Sequence, residues 1–189
     1  MKRIILASTS PRRKKILKKL GLSFTVVASK FKEDMNVNLT PQDLAKHLSR
    51  GKAKAVAKTF PSAIVIAADT FVVLENKKIG KPHTKKRAVE MLSALSGKTH
   101  EVISGLTVIA DKQEFTEVVI TKVTFRKLSK LDIDNYITRD KPLKASGSYK
   151  LQELGSTLVE RIEGDYLNVP GLPISKLIPI LKSLGIQIP

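Results

Sequence analysis

There is no cysteine in this chain and no tryptophan. The first absence removes disulfides, thiolate zinc sites and thiol nucleophiles together, and makes a reduced, cytoplasmic compartment the expectation. The second, with aromatics at only 5%, weakens any single-strand platform, which needs rings on which successive bases stack. Long hydrophobic runs are also missing. The most apolar stretch, 64–68 and 71–74, is broken by Asp69 and falls far short of the roughly 18 residues of a membrane span. The opening Met-Lys-Arg runs into Ser8 and a basic cluster, so no signal peptide is predicted. Three histidines, His47, His83 and His100, have no metal-ligand spacing, and no Gly-x-Ser-x-Gly elbow is found. Gly97-Lys98-Thr99 imitates a P-loop, but Leu92 stands where a glycine is required. It also follows a helical pattern rather than a strand.

Acid is scarce as well: 17 Asp and Glu against 34 Lys and Arg leave a net charge of +17. Such a field attracts polyanions, whether nucleotide, nucleic acid or acidic membrane, without choosing among them. Much of the excess sits in short clusters (12–15, 18–19, 77–78 and 85–87) rather than in a tail. What remains is the composition of a globular protein, 42% hydrophobic and 27% charged over 189 residues. That length suggests one domain or two small lobes over 1–189.

The pattern along the chain predicts a mixed α/β architecture. Residues 4–7 and 24–28 read as strands, and 64–74 as a strand pair or one bent strand. Residues 99–110 and 114–126 form a long hairpin, and 157–162 a last strand. Ser10 and Pro11 supply a cap and a first helical position, Ile16, Leu17 and Leu20 an apolar stripe, and Gly21 a stop. Further helices are expected from Thr40-Pro41 to about Thr59, with Leu44, Leu48, Ala55 and Val56 buried, and over 85–95, 131–139 and 173–184. A turn is expected over 75–78. Early strand–helix alternation followed by a hairpin predicts an α/β (α+β) fold with a mixed sheet and flanking helices.

Three stretches invite chemistry. In "LASTSPRRKK" a strand end, a serine-rich turn and a helix start bring free backbone N–H groups and two arginines to one point, the geometry of an anion site. The alternative is a capped helix with a solvated basic face. In "IVIAADTFVV" Asp69 needs a partner, a hydrogen bond or a metal, since a carboxylate among apolar residues is costly. Its alternative is a turn between two strands, locally capped by Thr70. In "IGKPH" Lys81 sits in a Gly-Pro turn, a rigid mount for a cation, although turn lysines are commonly just solvated.

Together with Glu33, "KAKAV" (52–56), "AADT" (67–70), "GKP" (80–82), "MLSALSGKTHEVISG" (91–105), "GSYKLQ" (147–152) and "YLNVPGLP" (166–173), the stretch "LASTSPRR" (6–13) resembles the Maf family. These are the septum-formation-inhibitor-like nucleoside triphosphate pyrophosphatases. The likeness extends over nearly the whole chain. It implies a fold related to the inosine-triphosphate pyrophosphatases, with two lobes around a cleft. It further implies hydrolysis of a nucleoside triphosphate to the monophosphate and pyrophosphate with a divalent cation, Mg²⁺ or Mn²⁺, in a house-cleaning role linked to septum formation, and a homodimer. By motif match, Asp69 is the proton acceptor, and Arg12, Thr70 and Gln152 fall at positions tied to substrate choice. Ser8, Arg13, Glu33, Lys52 and Lys81 complete the phosphate and metal site, with Glu33 and Asp69 as the metal carboxylates.

Those implied roles suit the chemistry. A triphosphate carries about four negative charges that guanidinium forks and ammonium groups neutralise, and a hard cation takes carboxylate and phosphate oxygens. The family divides into members preferring dTTP and UTP and members preferring 7-methyl-GTP. Ser148 and Lys150 resemble the second type. Gln152 and the "YLNVPGLP" ending resemble the first, although Glu153 stands where glycine is usual there. A glutamine offers both acceptor and donor to the N3–H and carbonyls of uracil or thymine, whereas two adjacent guanine donors suit a carboxylate. A dTTP/UTP pyrophosphatase is therefore expected, with a 7-methyl-GTP enzyme or a non-catalytic nucleic-acid-binding or division protein as rivals. No membrane partner is expected.

Overall fold

The computed structural model describes residues 2–34 and 37–188. Its order is β1 (Ile4–Leu6), α1 (Pro11–Lys19), β2 (Phe24–Val26), α2 (Pro41–Ala57), β3 (Ile64–Leu74), β4 (Lys77–Ile79), α3 (Lys85–Leu95), β5 (Thr99–Ala110), β6 (Gln113–Phe125), α4 (Lys130–Asp140), β7 (Val159–Glu163) and α5 (Ile174–Ser183). The strands make one sheet in the order β2-β1-β3-β5-β6-β7, with β4 paired to β3. It is mixed: β1 runs parallel to β2 and β3, while β3–β4 and β6–β7 are antiparallel. Among the described residues no helix is long and apolar enough to cross a membrane.

The chain divides into two compact units, one of residues 1–69, 104–119 and 171–189, the other of 70–103 and 120–170. In the first, β1 is fully buried, and α1 and α2 return the chain to lay β2 and β3 beside it, as parallel pairing requires. Ile5, Ala7, Ala53, Val56, Ala63, Val65 and Ala67 make one core with Phe60 and Ile109 packed against it. The small residues bring α2 close. At Gly105 an added Cβ would stand 1.9 Å from the Ala45 carbonyl oxygen, so only glycine admits this approach of strand to helix. The buried face of α2 carries Leu44, Leu48, Ala53 and Val56; Ala55 is only half-buried, because the helical repeat brings Ala53, not Ala55, in line with Ser49 and Val56.

In the second unit α3 packs on α4, over a core of Val72, Leu92, Val102, Phe125, Ile137, Leu151 and their neighbours. The expected 75–78 turn is shorter. Glu75 and Asn76 both take positive φ (50° and 61°), and the chain re-enters the sheet at once as β4, a two-residue hairpin of the kind these angles favour. The last strand likewise starts later than expected, because Leu154–Leu158 forms a tight 3₁₀ turn first.

His100 is buried in this unit, with Nε2 3.0 Å from the Tyr149 hydroxyl. It meets Phe125 and Tyr149 edge-on at 5.0 and 5.5 Å between ring centroids. Burial pushes its pKa down to about 4, whereas an unfolded histidine titrates near 6.5. Between those values the unfolded chain binds the additional proton, so stability falls as pH drops through the window. About 3 kcal/mol present above pH ~6.5 is expected to be gone near pH ~4. Urea titrations across the window should show this slope in the native protein and its loss in His100→Gln.

Candidate functional site

The site is built first from α1. Ser10 caps the helix, accepting the Arg13 backbone N–H at 3.5 Å, and Pro11 occupies the first turn. No acid offsets the positive helix end, although that is where anions are favoured. Ser8, buried at the end of β1, accepts from the Ser10 N–H and from Arg13 Nη1, each at 3.2 Å. Arg13 Nε donates to the Gly171 carbonyl at 2.7 Å. Arg12 Nε is buried without a hydrogen-bond partner among the described residues. Burial pulls the Arg13 pKa below its ordinary value; Asp69 opposes that shift, Arg12 adds to it and Glu33 opposes it. Lys14 and Lys15, by contrast, are exposed.

The second element is a pair of carboxylates on one ammonium. Asp69 stands within β3, half-buried beside Thr70 between two buried runs of the strand. The strand is continuous over eleven residues, so the reading of Asp69 as a turn residue falls: no chain reversal occurs there. Lys52 of α2 donates to Asp69 Oδ1 at 2.5 Å and contacts Glu33 Oε1 at 2.8 Å. Lys52 and Asp69 side chains are 13% and 15% exposed, Glu33 44%, so the pair is sheltered on one flank and open on the other.

Glu33 reaches Lys52 through a feature the sequence did not advertise. Gly51 lies inside α2, where glycine costs roughly 1 kcal/mol against alanine. A Cβ there would meet the Phe31 ring at 2.3 Å. The ring takes that space and stands edge-on to His47 at 5.9 Å. Ser29 Oγ also donates to the Lys52 carbonyl at 3.4 Å. These contacts fasten the 29–33 segment to α2. The Gly171 carbonyl, at φ +111°, is the other participant missed; its only sequence signal is a glycine between prolines in "VPGLP".

Of the nine residues expected to act, Ser8, Arg12, Arg13, Glu33, Lys52 and Asp69 belong to the first unit. Arg13 joins Ser8, and Lys52 joins Glu33 and Asp69. Thr70, Lys81 and Gln152 belong to the second: Thr70 half-buried in β3, Lys81 exposed between β4 and α3, Gln152 exposed in a turn after Leu151. Gly97-Lys98-Thr99 links the end of α3 to the start of β5, so it has no P-loop setting. No cluster of three or more acidic or histidine side chains poised for a metal occurs among the described residues. Glu33 and Asp69 nonetheless fit a hard cation, since two carboxylates already converge on one positive centre and substrate phosphates can supply the remaining oxygens.

A family model for Maf-like proteins matches residues 3–184. The chain belongs to the Maf family. This Maf protein is 44% identical over 186 residues to a dTTP/UTP pyrophosphatase of Bacillus pumilus (strain SAFR-032), covering 98% of each chain. It is 45% identical over 188 residues to one of Bacillus cereus (strain ATCC 10987 / NRS 248), covering 100% of this chain and 93% of that relative. Among solved structures it is similar to a HAM1 protein from Coxiella burnetii (TM-score 0.51, 12% identity, covering 97% of this chain and 100% of that one). It is also similar to the Staphylococcus aureus Ham1 protein (TM-score 0.53, 14% identity, covering 96% and 99%). At those identities the likeness is one of fold, and it agrees with the mixed α/β architecture expected.

Proposed function

We propose that this Maf protein is a nucleoside triphosphate pyrophosphatase that hydrolyses dTTP and UTP to the monophosphate and pyrophosphate. The observation that carries the reading is the conjunction, in one unit, of two arginines at the start of α1, Arg13 being held by Ser8 and the Gly171 carbonyl, with two carboxylates gathered on Lys52. Full-length relatives named dTTP/UTP pyrophosphatase support it.

In this reading Arg12, Arg13 and Ser8 bind the phosphate chain, with Arg13 fixed by the Gly171 carbonyl. Asp69 orients a water against the α-phosphorus and accepts its proton as the new P–O bond forms. The bond from the α-phosphorus to the bridging oxygen breaks, and pyrophosphate leaves with its charge stabilised by Lys52 and Lys81. No covalent nucleophile is required, because positioning and charge stabilisation supply the rate. A Mg²⁺ or Mn²⁺ ion held by Glu33 and Asp69 would polarise phosphate oxygens and acidify water when bound. Thr70 and Gln152 carry the family positions tied to base choice, and the Gln152 amide matches the acceptor–donor–acceptor edge of uracil and thymine.

Pyrophosphate release from dTTP, UTP, CTP, GTP and 7-methyl-GTP with Mn²⁺ tests activity and base choice together. The expected order places dTTP and UTP first, and Gln152→Glu should move preference toward 7-methyl-GTP by about tenfold or more. No turnover on any nucleotide, with tight and salt-sensitive nucleic-acid binding, would overturn the proposal in favour of a non-catalytic role.

A further inference from the structure

Lys150 and Glu153, on either side of Gln152, are bonded to each other. Lys150 Nζ lies 3.0 Å from Glu153 Oε2. The same ammonium donates to the Asp140 carbonyl at 2.7 Å and stands 3.6 Å from Asp140 Oδ2, a carboxylate only 3% exposed. Tyr136 of α4 completes the anchor: its hydroxyl donates to Asp140 Oδ2 at 2.8 Å and accepts the Lys150 backbone N–H at 3.1 Å. Lys150 is thus tied by backbone and side chain to the buried end of α4. The turn beyond it is tight. The Glu153 N–H donates to the Lys150 carbonyl at 3.0 Å, and an added Cβ at Gly155 would stand 2.6 Å from that same oxygen. Gln152, exposed, lies inside this closed turn, one residue from a carboxylate that Lys150 holds.

We infer that Lys150 is a specificity-determining positioning residue, which keeps the Glu153 carboxylate engaged so that the nucleobase meets the Gln152 amide alone. The inference rests on the proposed base-reading role of Gln152. A free carboxylate beside that amide would accept the two adjacent donors of guanine, N1–H and N2–H, and would set a lone acceptor against the carbonyls of uracil. Withdrawing it is therefore a device against guanine as much as one for pyrimidines. Because the ammonium is itself fixed on Asp140, holding Glu153 does not depend on the flexible stem of a surface lysine.

The test is the ratio of kcat/KM for UTP over GTP, two triphosphates of equal charge. Lys150→Met should lower the ratio by about tenfold, Lys150→Arg should retain it, and Lys150→Met with Glu153→Gln should restore it. Mere disorder of the turn would not be repaired by the second substitution. A ratio unmoved in Lys150→Met, or a loss that persists in the double variant, overturns the inference. Gln152→Ala separates this failure from that of the underlying reading: if it leaves the ratio unchanged, Gln152 does not read the base and both statements fall. Should Lys150→Met not fold, salt titration of the native protein replaces it, since a half-exposed pair is screened. The ratio should then decline with salt in the native protein and stay flat in Glu153→Gln; a flat native profile overturns the inference.

Discussion

Asp69→Asn should lower kcat for UTP by about 10³-fold, the range expected if the proposed general base is lost, and leave KM almost unchanged. The substitution keeps the shape of the side chain and an oxygen that can accept from Lys52, whose ammonium also retains Glu33. No cation is left buried without a partner, so the melting temperature should hardly move. Pyrophosphate release measured beside a thermal melt distinguishes lost chemistry from lost structure. A variant that retains kcat within a few-fold would remove Asp69 from the reaction and leave it as a partner for Lys52.

The second large effect is at Arg13. This side chain does two things at once, donating from Nε to the Gly171 carbonyl and from Nη1 to Ser8. One lysine nitrogen cannot reproduce a fixed fork, so Arg13→Lys should lose about 10² in kcat/KM. Arg13→Glu should abolish turnover, because it sets a third carboxylate near Asp69 and Glu33, both of which now act on the guanidinium. The control lies two residues along α1. Lys15→Glu makes the same change in net charge at an exposed position and should alter kcat/KM by no more than about twofold. If both reversals weakened the enzyme equally, the bulk field of a +17 protein, rather than a built site, would govern binding.

Much of this could be read before the fold was known, for stated physical reasons. Ser10-Pro11 and Gly21 bracket α1 because capping and positive φ are local demands. Helix α3 falls on its expected bounds because its apolar positions repeat regularly. The carboxylate interrupting an otherwise apolar strand likewise announced Asp69. What stayed hidden depends on distant contacts. Nothing near Gly51 signals that Phe31 will fill the space of its missing side chain, nor does "VPGLP" show that its glycine carbonyl receives Arg13. The Lys150–Glu153 pairing was also invisible, since its anchor, Asp140, comes from another element. Lys77 and Lys78 read as part of a turn over 75–78 because adjacent lysines hide the alternation of a short edge strand.

Strands β3, β5 and β6 each begin in one unit and finish in the other. Each unit is consequently assembled from separated stretches of the gene. A single truncation, fusion point or recombination event cannot deliver either one whole, and a half-gene would encode strands without their continuation. For this chain, exchange of the unit that carries Gln152 is therefore closed to modular shuffling. It is left to point substitutions inside a framework that must be inherited entire.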